Sequence, residues 1–409
     1  LLTWSQPLSW RTAVLIAGLA ILLTACFPGS QFLPSAGAIP LRYELYKDRY
    51  RREYSIESRP PGSTKEVAEA FMRQYQPGPL PRIFEHTILT DRHGELLAEL
   101  VSEGRRTWVN LDLVPQTLID AVVATEDASF FDNDGIDERR LVGAMLQNVQ
   151  NGTISAGGST ITMQMARNLF FPPEKRFDQS FDRKISEIFL AQDLTRLLSK
   201  QEILEIYLNL VYFGNGAYGV EAASQTYFGK SVKELDWAQA TLLAGLPQSP
   251  VGWDPYTNFD GAKLRQRTVL NLLMKRNYLT TAQADAIFGQ QIKLKPLARS
   301  ETLAPHFVRF IEQQLAADLR IVPGRAGLRV TTTLDLQMQQ IAQSIVTEQV
   351  NALRGSFNLT NGALVALKPR HAEILVMVGS ADFNNRAISG QVNIALSPRQ
   401  PGSTMKAVL

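Results

Sequence analysis

The stretch "FDRKISEIFLAQDLTRLLSKQEILEIYLNLVYFG" (residues 181–214) decides the fold class, because its apolar residues recur at helical spacing and read as two amphipathic helices. The pattern extends upstream. Pro115 stands well at a helix start, and "LIDAVVATEDASFF" (118–131) carries apolar residues at helical spacing, so the chain from about Pro115 to Leu246 reads as helical almost throughout. "LPQSP" (246–250) and "WDPY" (253–256) end that block, and "AKLRQRTVLNLLMKRNYLTTAQADAIF" (262–288) forms a helical bridge beyond it. Then the texture changes. "GLRVTTTLD" (327–335), "NGALVALKP" (361–369) and "AEILVMVGS" (372–380) are short β-rich runs that open a mixed α/β domain.

Ahead of the helical block, "RPPGS" (59–63) and "QPGPLPR" (76–82) mark a linker, and "HTILTDRHGELLAEL" (86–100) alternates around an Arg-His-Gly turn as a β-hairpin does. The N-terminal "AVLIAGLAILLTACF" (13–27) is an apolar run behind Arg11, with no further charge before Arg42. It reads either as an uncleaved anchor or, from "LTAC" ending at Cys26, as a lipoprotein signal; both would put residues 41 onward on the outer face of a membrane. "LRYELYKDRYRREYSIESR" (41–59) mixes both charge signs and reads as a solvated helix rather than a lipid-headgroup patch.

The charge balance of 42 basic against 39 acidic residues is too even to argue for a nucleic-acid partner. A single cysteine excludes an internal disulfide framework and a Cys-built zinc site; four scattered histidines without H-E-x-x-H argue against a His-based metal. The chain begins without Met, which leads us to expect a longer parent.

Several clusters carry chemistry. In "ATEDASFFDNDG" (124–135), Glu126 and Asp127 sit between apolar residues. Such carboxylates either end a helix in solvent or lose solvation and rise in pKa toward the range useful for proton transfer. In "SAGGSTITMQMARNLFF" (155–171), a Gly pair and hydroxyls lead into a short helix on which Gln164, Arg167 and Asn168 share one face. That suits an anionic group such as a phosphate, or is an ordinary N-cap and helix. Arg183 and Glu187 stand i,i+4, the spacing of a surface ion pair as well as of a site. "YLNLVYFGNGAYGVEAASQTYFGK" (207–230) reads as a packed corner or a sugar-stacking surface.

In this order and spacing, these clusters resemble the glycosyltransferase family 51 domain of class A penicillin-binding proteins. The family pattern E-D-x-x-F-[FY]-x-H-x-G is matched from Glu126 and Asp127 through Phe130 and Phe131 to Gly135. G-[GA]-S-T-[IL]-T-Q-Q-x-x-K-N is matched from Gly157 to Asn168, R-K-x-x-E by Arg183, Lys184 and Glu187, and Y-L-N-x-x-Y-F-G-x-G-x-Y-G from Tyr207 to Gly219. The sequence departs at Asn133 (His in the family), Met163 (Gln), Arg167 (Lys) and Gln179 (Arg). Arg for Lys keeps charge but changes geometry.

The resemblance implies a mostly α fold, a lysozyme-like helical glycosyltransferase domain with an N-terminal membrane segment, followed by the start of an α/β penicillin-binding transpeptidase domain. Its expected divisions are 1–40 (signal-anchor or lipoprotein signal), 41–84 (juxtamembrane linker), 85–260 (glycosyltransferase), 261–310 (bridge) and 311–409 (truncated transpeptidase). It implies polymerisation of lipid II at the outer face of the bacterial cytoplasmic membrane, with Glu126 as general base and Glu187 as second carboxylate, orienting either the diphosphate or a Mg2+ or Mn2+ ion; no organic cofactor is implied. Asp127, Phe130, Ser159, Thr160, Gln164, Arg167, Asn168, Arg183, Lys184, Asn209, Gly214 and Tyr218 are the implied substrate-binding residues. Membrane lipid, the growing glycan strand and other cell-wall synthesis and division proteins are the implied partners. The apolar "LVGAMLQNV" (141–149) would dip into the bilayer, or pack in a core. Finally, "RQPGSTMK" (399–406) resembles the start of a transpeptidase site, with Ser403 as acyl-enzyme nucleophile and Lys406 helping to deprotonate it; no S-x-N or K-T-G follows. The rival readings are a weakly active or inactive cell-wall scaffold, motivated by Asn133 and Gln179, and a glycan-cleaving lysozyme-like enzyme.

Overall fold

The computed structural model describes residues 38–80, 82–151, 158–176, 178, 181–296, 302–398, 400 and 406. The chain divides into two compact units. One holds the described residues of Leu1–Gly78 and Arg106–Pro296, the other those of Pro79–Arg105 and Leu297–Leu409.

The first unit is helical. Its elements are α1 (Ala38–Glu53), α2 (Thr64–Tyr75), α3 (Gln116–Glu126), α4 (Glu138–Asn151), α5 (Ile161–Phe170), α6 (Pro173–Arg176), α7 (Phe181–Leu197), α8 (Lys200–Leu210), α9 (Val220–Tyr227), α10 (Trp237–Gly245), α11 (Phe259–Lys275) and α12 (Thr281–Gly289). The periodic stretch 181–214 forms α7 and α8, split where Ser199 caps α8 in a reciprocal capping box with Glu202. α10 and α12 start with the same device, Asp236 with Gln239 and Thr280 with Gln283. The periodicity starting at 118 stops at Glu126, because Asp127 leaves helical geometry as the C-cap of α3.

α5 is the structural centre of this unit. It packs against α2, α7 and α8 and buries Ile161, Met163, Met165, Ala166, Leu169 and Phe170. Each large apolar side chain so buried contributes about 1.5–3 kcal/mol. Gln164, Arg167 and Asn168 are its partly exposed residues, on the one face that the i,i+3 and i,i+4 spacing assigns them. α3 packs on α10 and α11, burying all but its polar edge and carrying Glu126 into the interior at its last turn.

The second unit is mixed. β1 (Thr87–Thr90) and β2 (Leu96–Leu100) form the expected antiparallel hairpin, turned by Asp91, whose Oδ1 accepts the His93 and Glu95 N–H groups at 2.7 and 2.9 Å. α13 (Pro305–Leu319) follows, then β3 (Arg329–Thr331), which pairs parallel to β1, giving sheet order β2-β1-β3. α14 (Leu336–Phe357) lays Ala342, Val346 and Val350 on Val376 and Val378 of the β4 (Leu364–Lys368) and β5 (Glu373–Val378) pair. The compact units are bounded differently from the sequence segments: the hairpin lies with residues 297 onward, and α11 and α12 of the expected bridge lie with the helical unit.

Two expectations are corrected. A fold with an N-terminal membrane segment, and a chain held by it at the outer face of the cytoplasmic membrane, are not what the described residues show: none of their helices is long and apolar enough to cross a membrane. The physical reason is composition, since even the 22-residue α14 is interrupted by polar side chains such as Gln339, Gln343, Glu348 and Arg354. The apolar run 13–27, with Cys26, lies outside the described residues.

The second correction concerns 41–59, expected to be a solvated helix. Within it, α1 buries Tyr50, and the following turn buries Tyr54. The Tyr50 hydroxyl donates to Asp193 at 2.7 Å and its ring lies 5.0 Å from Phe189 on α7. Alternating charges on the outer face hid this aromatic stripe. We expect Tyr50→Ala to lower unfolding stability by about 3 kcal/mol, the cost of truncating a buried aromatic; chemical denaturation measures it, and a change below about 1 kcal/mol would show α1 to be unattached.

Candidate active site

The site is built on the start of α5. Thr160 caps the helix: its Oγ1 accepts the Met163 N–H at 3.1 Å and donates to the Gly135 carbonyl at 2.7 Å. Asp127 Oδ2 accepts the Ile161 N–H at 3.1 Å. Two sequence clusters, 124–135 and 155–171, are thereby joined. Gly135 serves this junction with a positive φ of 93°, where a Cβ would collide with the Ala191 carbonyl.

Glu126, one residue before Asp127, is buried. Its Oε2 accepts a hydrogen bond from Gln164 Nε2 at 2.8 Å, and Gln164 Oε1 faces the Tyr207 hydroxyl at 3.4 Å. Burial pushes the Glu126 carboxyl above the ordinary range; the Gln164 bond and the charges of Arg265 and Arg140 oppose that rise, and Asp127 adds to it. Arg140 also donates to the Glu126 carbonyl at the C-terminus of α3. Of the two alternatives for this acidic pair, the geometry is that of a desolvated carboxylate, whose affinity for a proton is raised above that of a solvated one.

Glu187 on α7 is fully buried and surrounded by cations. Its Oε1 accepts from Arg167 Nε at 2.7 Å and from Arg183 Nη1; its Oε2 accepts from Arg167 Nη2 and Lys184 Nζ, each at 3.2 Å. Ser159 Oγ accepts from Lys184 at 2.7 Å. Burial alone would raise the Glu187 carboxyl, but Lys184, Arg167 and Arg183 outweigh it and hold it below the ordinary range. The Arg183–Glu187 spacing is therefore a buried pair rather than a surface one.

Gln164 and Arg167 share one face of α5 and bond to the two carboxylates, Glu126 of α3 and Glu187 of α7, the latter alongside Arg183, Lys184 and Ser159. The remaining expected residues make other contacts. Asn209 is buried with its amide spent on backbone, accepting the Val109 N–H at 2.9 Å and donating to the Val109 and Glu205 carbonyls, each at 2.8 Å. Phe130 is fully buried under the Lys200 ammonium, 4.7 Å from its ring. Gly214 adopts φ 92° beside the Tyr227 hydroxyl, and the Tyr218 ring lies 5.1 Å from the Arg106 guanidinium. The Asn168 carbonyl accepts from Gln76 and Arg176. Arg176, considered as a stand-in for an arginine at 179, is instead tied to the Phe171 and Asn168 carbonyls and Gln76; Gln179 and Ser403 lie outside the described residues, and Lys406 is exposed. Tyr207, Arg140 and Arg265 were missed. Only Tyr207 carried a signal, as the first residue of the Y-L-N pattern.

For a divalent ion at Glu187, the donor set does not fit. Both carboxylate oxygens already hold two cationic donors, and a metal would have to displace them. Among the described residues no group of three or more His, Cys, Asp or Glu could hold a metal ion.

The family model described as Transglycosylase matches residues 93–274. Penicillin-binding protein 2D of Bacillus subtilis is 38% identical over 342 residues, covering 82% of this chain and 48% of that protein. Penicillin-binding protein 1A of Aquifex aeolicus is 37% identical over 60% of this chain and 33% of its own length, and its namesake in Escherichia coli 37% over 63% and 30%. Residues 93–274 thus match a transglycosylase domain, and over most of its length the chain is similar to penicillin-binding proteins. The chain spans about half or less of the length of these relatives.

Two outcomes are expected. If Glu126 acts as a base it must be ionised, and the rate should fall as pH drops through its raised value; Gln164→Leu removes a bond favouring the ionised form and should move the acid limb of the kcat/KM profile to still higher pH, whereas an unmoved limb would separate Gln164 from that limb. Glu187→Gln removes the buried carboxylate that Arg167, Arg183 and Lys184 share and should cost about 3 kcal/mol in denaturant unfolding, the low end for breaking a buried pair because the cations are partly exposed; because the Glu187 carboxyl is depressed in the folded state, that difference should be full above the unfolded carboxylate pKa and shrink progressively as pH falls from there through the folded value.

Proposed function

We propose that the helical unit polymerises lipid II, the undecaprenyl-diphosphate-linked disaccharide-peptide, onto a growing glycan strand. The single observation that carries this is a buried, pKa-raised Glu126 reached from the same helix face as a cationic cluster. Glu126 takes the proton from the acceptor's GlcNAc 4-hydroxyl as that oxygen attacks MurNAc C1. The bond from C1 to the diphosphate oxygen breaks on the opposite face, and undecaprenyl diphosphate departs with the electron pair, so C1 is inverted. Direct displacement of the diphosphate by the activated hydroxyl inverts C1 in one step, and no covalent glycosyl-enzyme intermediate is needed.

Glu187 does not act as a second acid or base in this scheme. Its depressed pKa keeps it ionised, and it assembles Arg167, Arg183 and Lys184 at one place. Three cations gathered at one carboxylate, with the Ser159 hydroxyl among them, make a site suited to a diphosphate. Charge growing on the leaving group is then met by donors already in position, the largest kind of contribution such sites make. Asp127 and Thr160 position α5, and Asn209 braces α8 against Val109. Other cell-wall synthesis and division proteins belong to this proposal as partners.

The relatives' name brings a second proposal: Ser403 as a nucleophile acylated by β-lactams, with Lys406 as its base. It rests on the S-x-x-K spacing alone.

Incubation of the purified protein with labelled lipid II tests the main reading. Wild type should yield polymer, and Glu126→Gln should reduce the rate by about 10²–10⁴-fold with thermal melting nearly unchanged. Absence of polymer from wild type favours a scaffold, release of fragments from finished glycan favours a lysozyme-like activity, and retained turnover in Glu126→Gln removes Glu126 from the base role.

A further inference from the structure

We propose that Lys200 is a positioning residue for the Glu126 site, acting through Asn133 and Asp127 on the start of α5; this rests on the glycosyltransferase reading above. Lys200 is the first residue of α8 and belongs to none of the four matched motifs.

Asn133 stands where the resemblance puts histidine, and its amide can be oriented from its neighbours. One terminal atom faces two donors, the Gly135 N–H at 3.0 Å and Lys200 Nζ at 3.2 Å, so it must be the oxygen. The amide nitrogen then points at Asp127, donating to Oδ1 at 3.0 Å and Oδ2 at 3.2 Å. Lys200 also donates to the Asn133 backbone carbonyl at 2.6 Å and rests over the Phe130 ring. It therefore grips Asn133 at two points and removes the freedom of its amide to flip.

Asp127 passes that constraint on. The oxygen that receives Asn133 Nδ2 at 3.2 Å also accepts the Ile161 N–H, and Ser129 Oγ lies 3.3 Å from the other. Ile161 is the first residue of α5, and one turn later Gln164 holds Glu126. The route runs from Lys200 through Asn133 and Asp127 to α5, Gln164 and the base. Were the Asn133 amide to flip, its oxygen would face the Asp127 carboxylate, and two acceptors would repel. The lysine opposes this together with the Gly135 N–H, which is how asparagine serves at 133. Neither Lys200 nor Asn133 touches the reacting groups of the proposed reaction.

The test uses the full chain with Lys200→Met, Lys200→Arg, Asn133→Ala, and Lys200→Met combined with Asn133→Ala, each checked by thermal melting. Lys200→Gln replaces any Lys200→Met protein that does not melt cooperatively. With lipid II as substrate, Lys200→Met should lower kcat by about tenfold, the loss of one or two hydrogen bonds, with KM within about twofold, and Lys200→Arg should restore most of it. The double variant should be no slower than the slower single one, because both cut one route. Multiplying losses, wild-type kcat in folded Lys200→Met, or a change confined to KM would overturn the proposal. Amide hydrogen exchange over 161–164 gives a readout independent of turnover: it should quicken in Lys200→Met, and unchanged exchange there also overturns the proposal. If wild type makes no polymer, the glycosyltransferase reading fails, and the exchange result alone decides the role of Lys200.

Discussion

Gln164 and Arg167 are three residues apart on α5, and the site depends on that spacing. A helix advances about 1.5 Å per residue, so the two side chains leave the backbone about one turn apart on one face. One reaches Glu126, the other Glu187. The two carboxylates come from helices α3 and α7, and α5 fixes where each is met. This is why the first turn of α5 is secured so heavily, by Thr160 within the helix and by Asp127 from outside it.

The two acids then diverge through surroundings alone. Glu126 meets an uncharged amide and apolar neighbours, with cations acting only from further off, and burial dominates its titration. Glu187 is buried as deeply but receives three cations directly, and their charges reverse the effect of burial. Identical chemical groups are thereby pushed in opposite directions, one carboxyl raised and the other lowered from the ordinary range. The same arrangement explains why the departures from the family pattern need not disturb the site. Met163 is buried in the core beside Ile188 and Ala191, where a thioether packs better than an amide. Arg167 uses two nitrogens to span both Glu187 oxygens, which a lysine could not do.

Much of this was legible in the sequence, though unevenly. The α7–α8 stretch, the Thr87–Leu100 hairpin and the polar face of α5 followed from periodicity, since alternation and helical spacing record which side of an element is buried. The aromatic face of α1 did not, because charges at neighbouring positions mask two tyrosines in a pattern read by average polarity. Asn209 was expected at substrate and is instead spent on the backbone of Val109, a hundred residues away in sequence, and nothing local to either residue announces that pairing. The parallel β1–β3 contact joins residues some 240 apart and was equally invisible.

The sequence by itself determined which segments are helices or strands, and which short motifs carry carboxylates, cations and hydroxyls, because both properties are set by neighbours within a few residues along the chain. The tertiary structure alone decided which carboxylate is desolvated and which is neutralised, that Arg183 pairs in the interior, and that Lys200 holds Asn133. Those outcomes depend on burial and on partners brought in from distant segments. Electrostatic interaction strengthens several-fold when water is excluded, so packing decides the chemistry of side chains whose identity the sequence already displays.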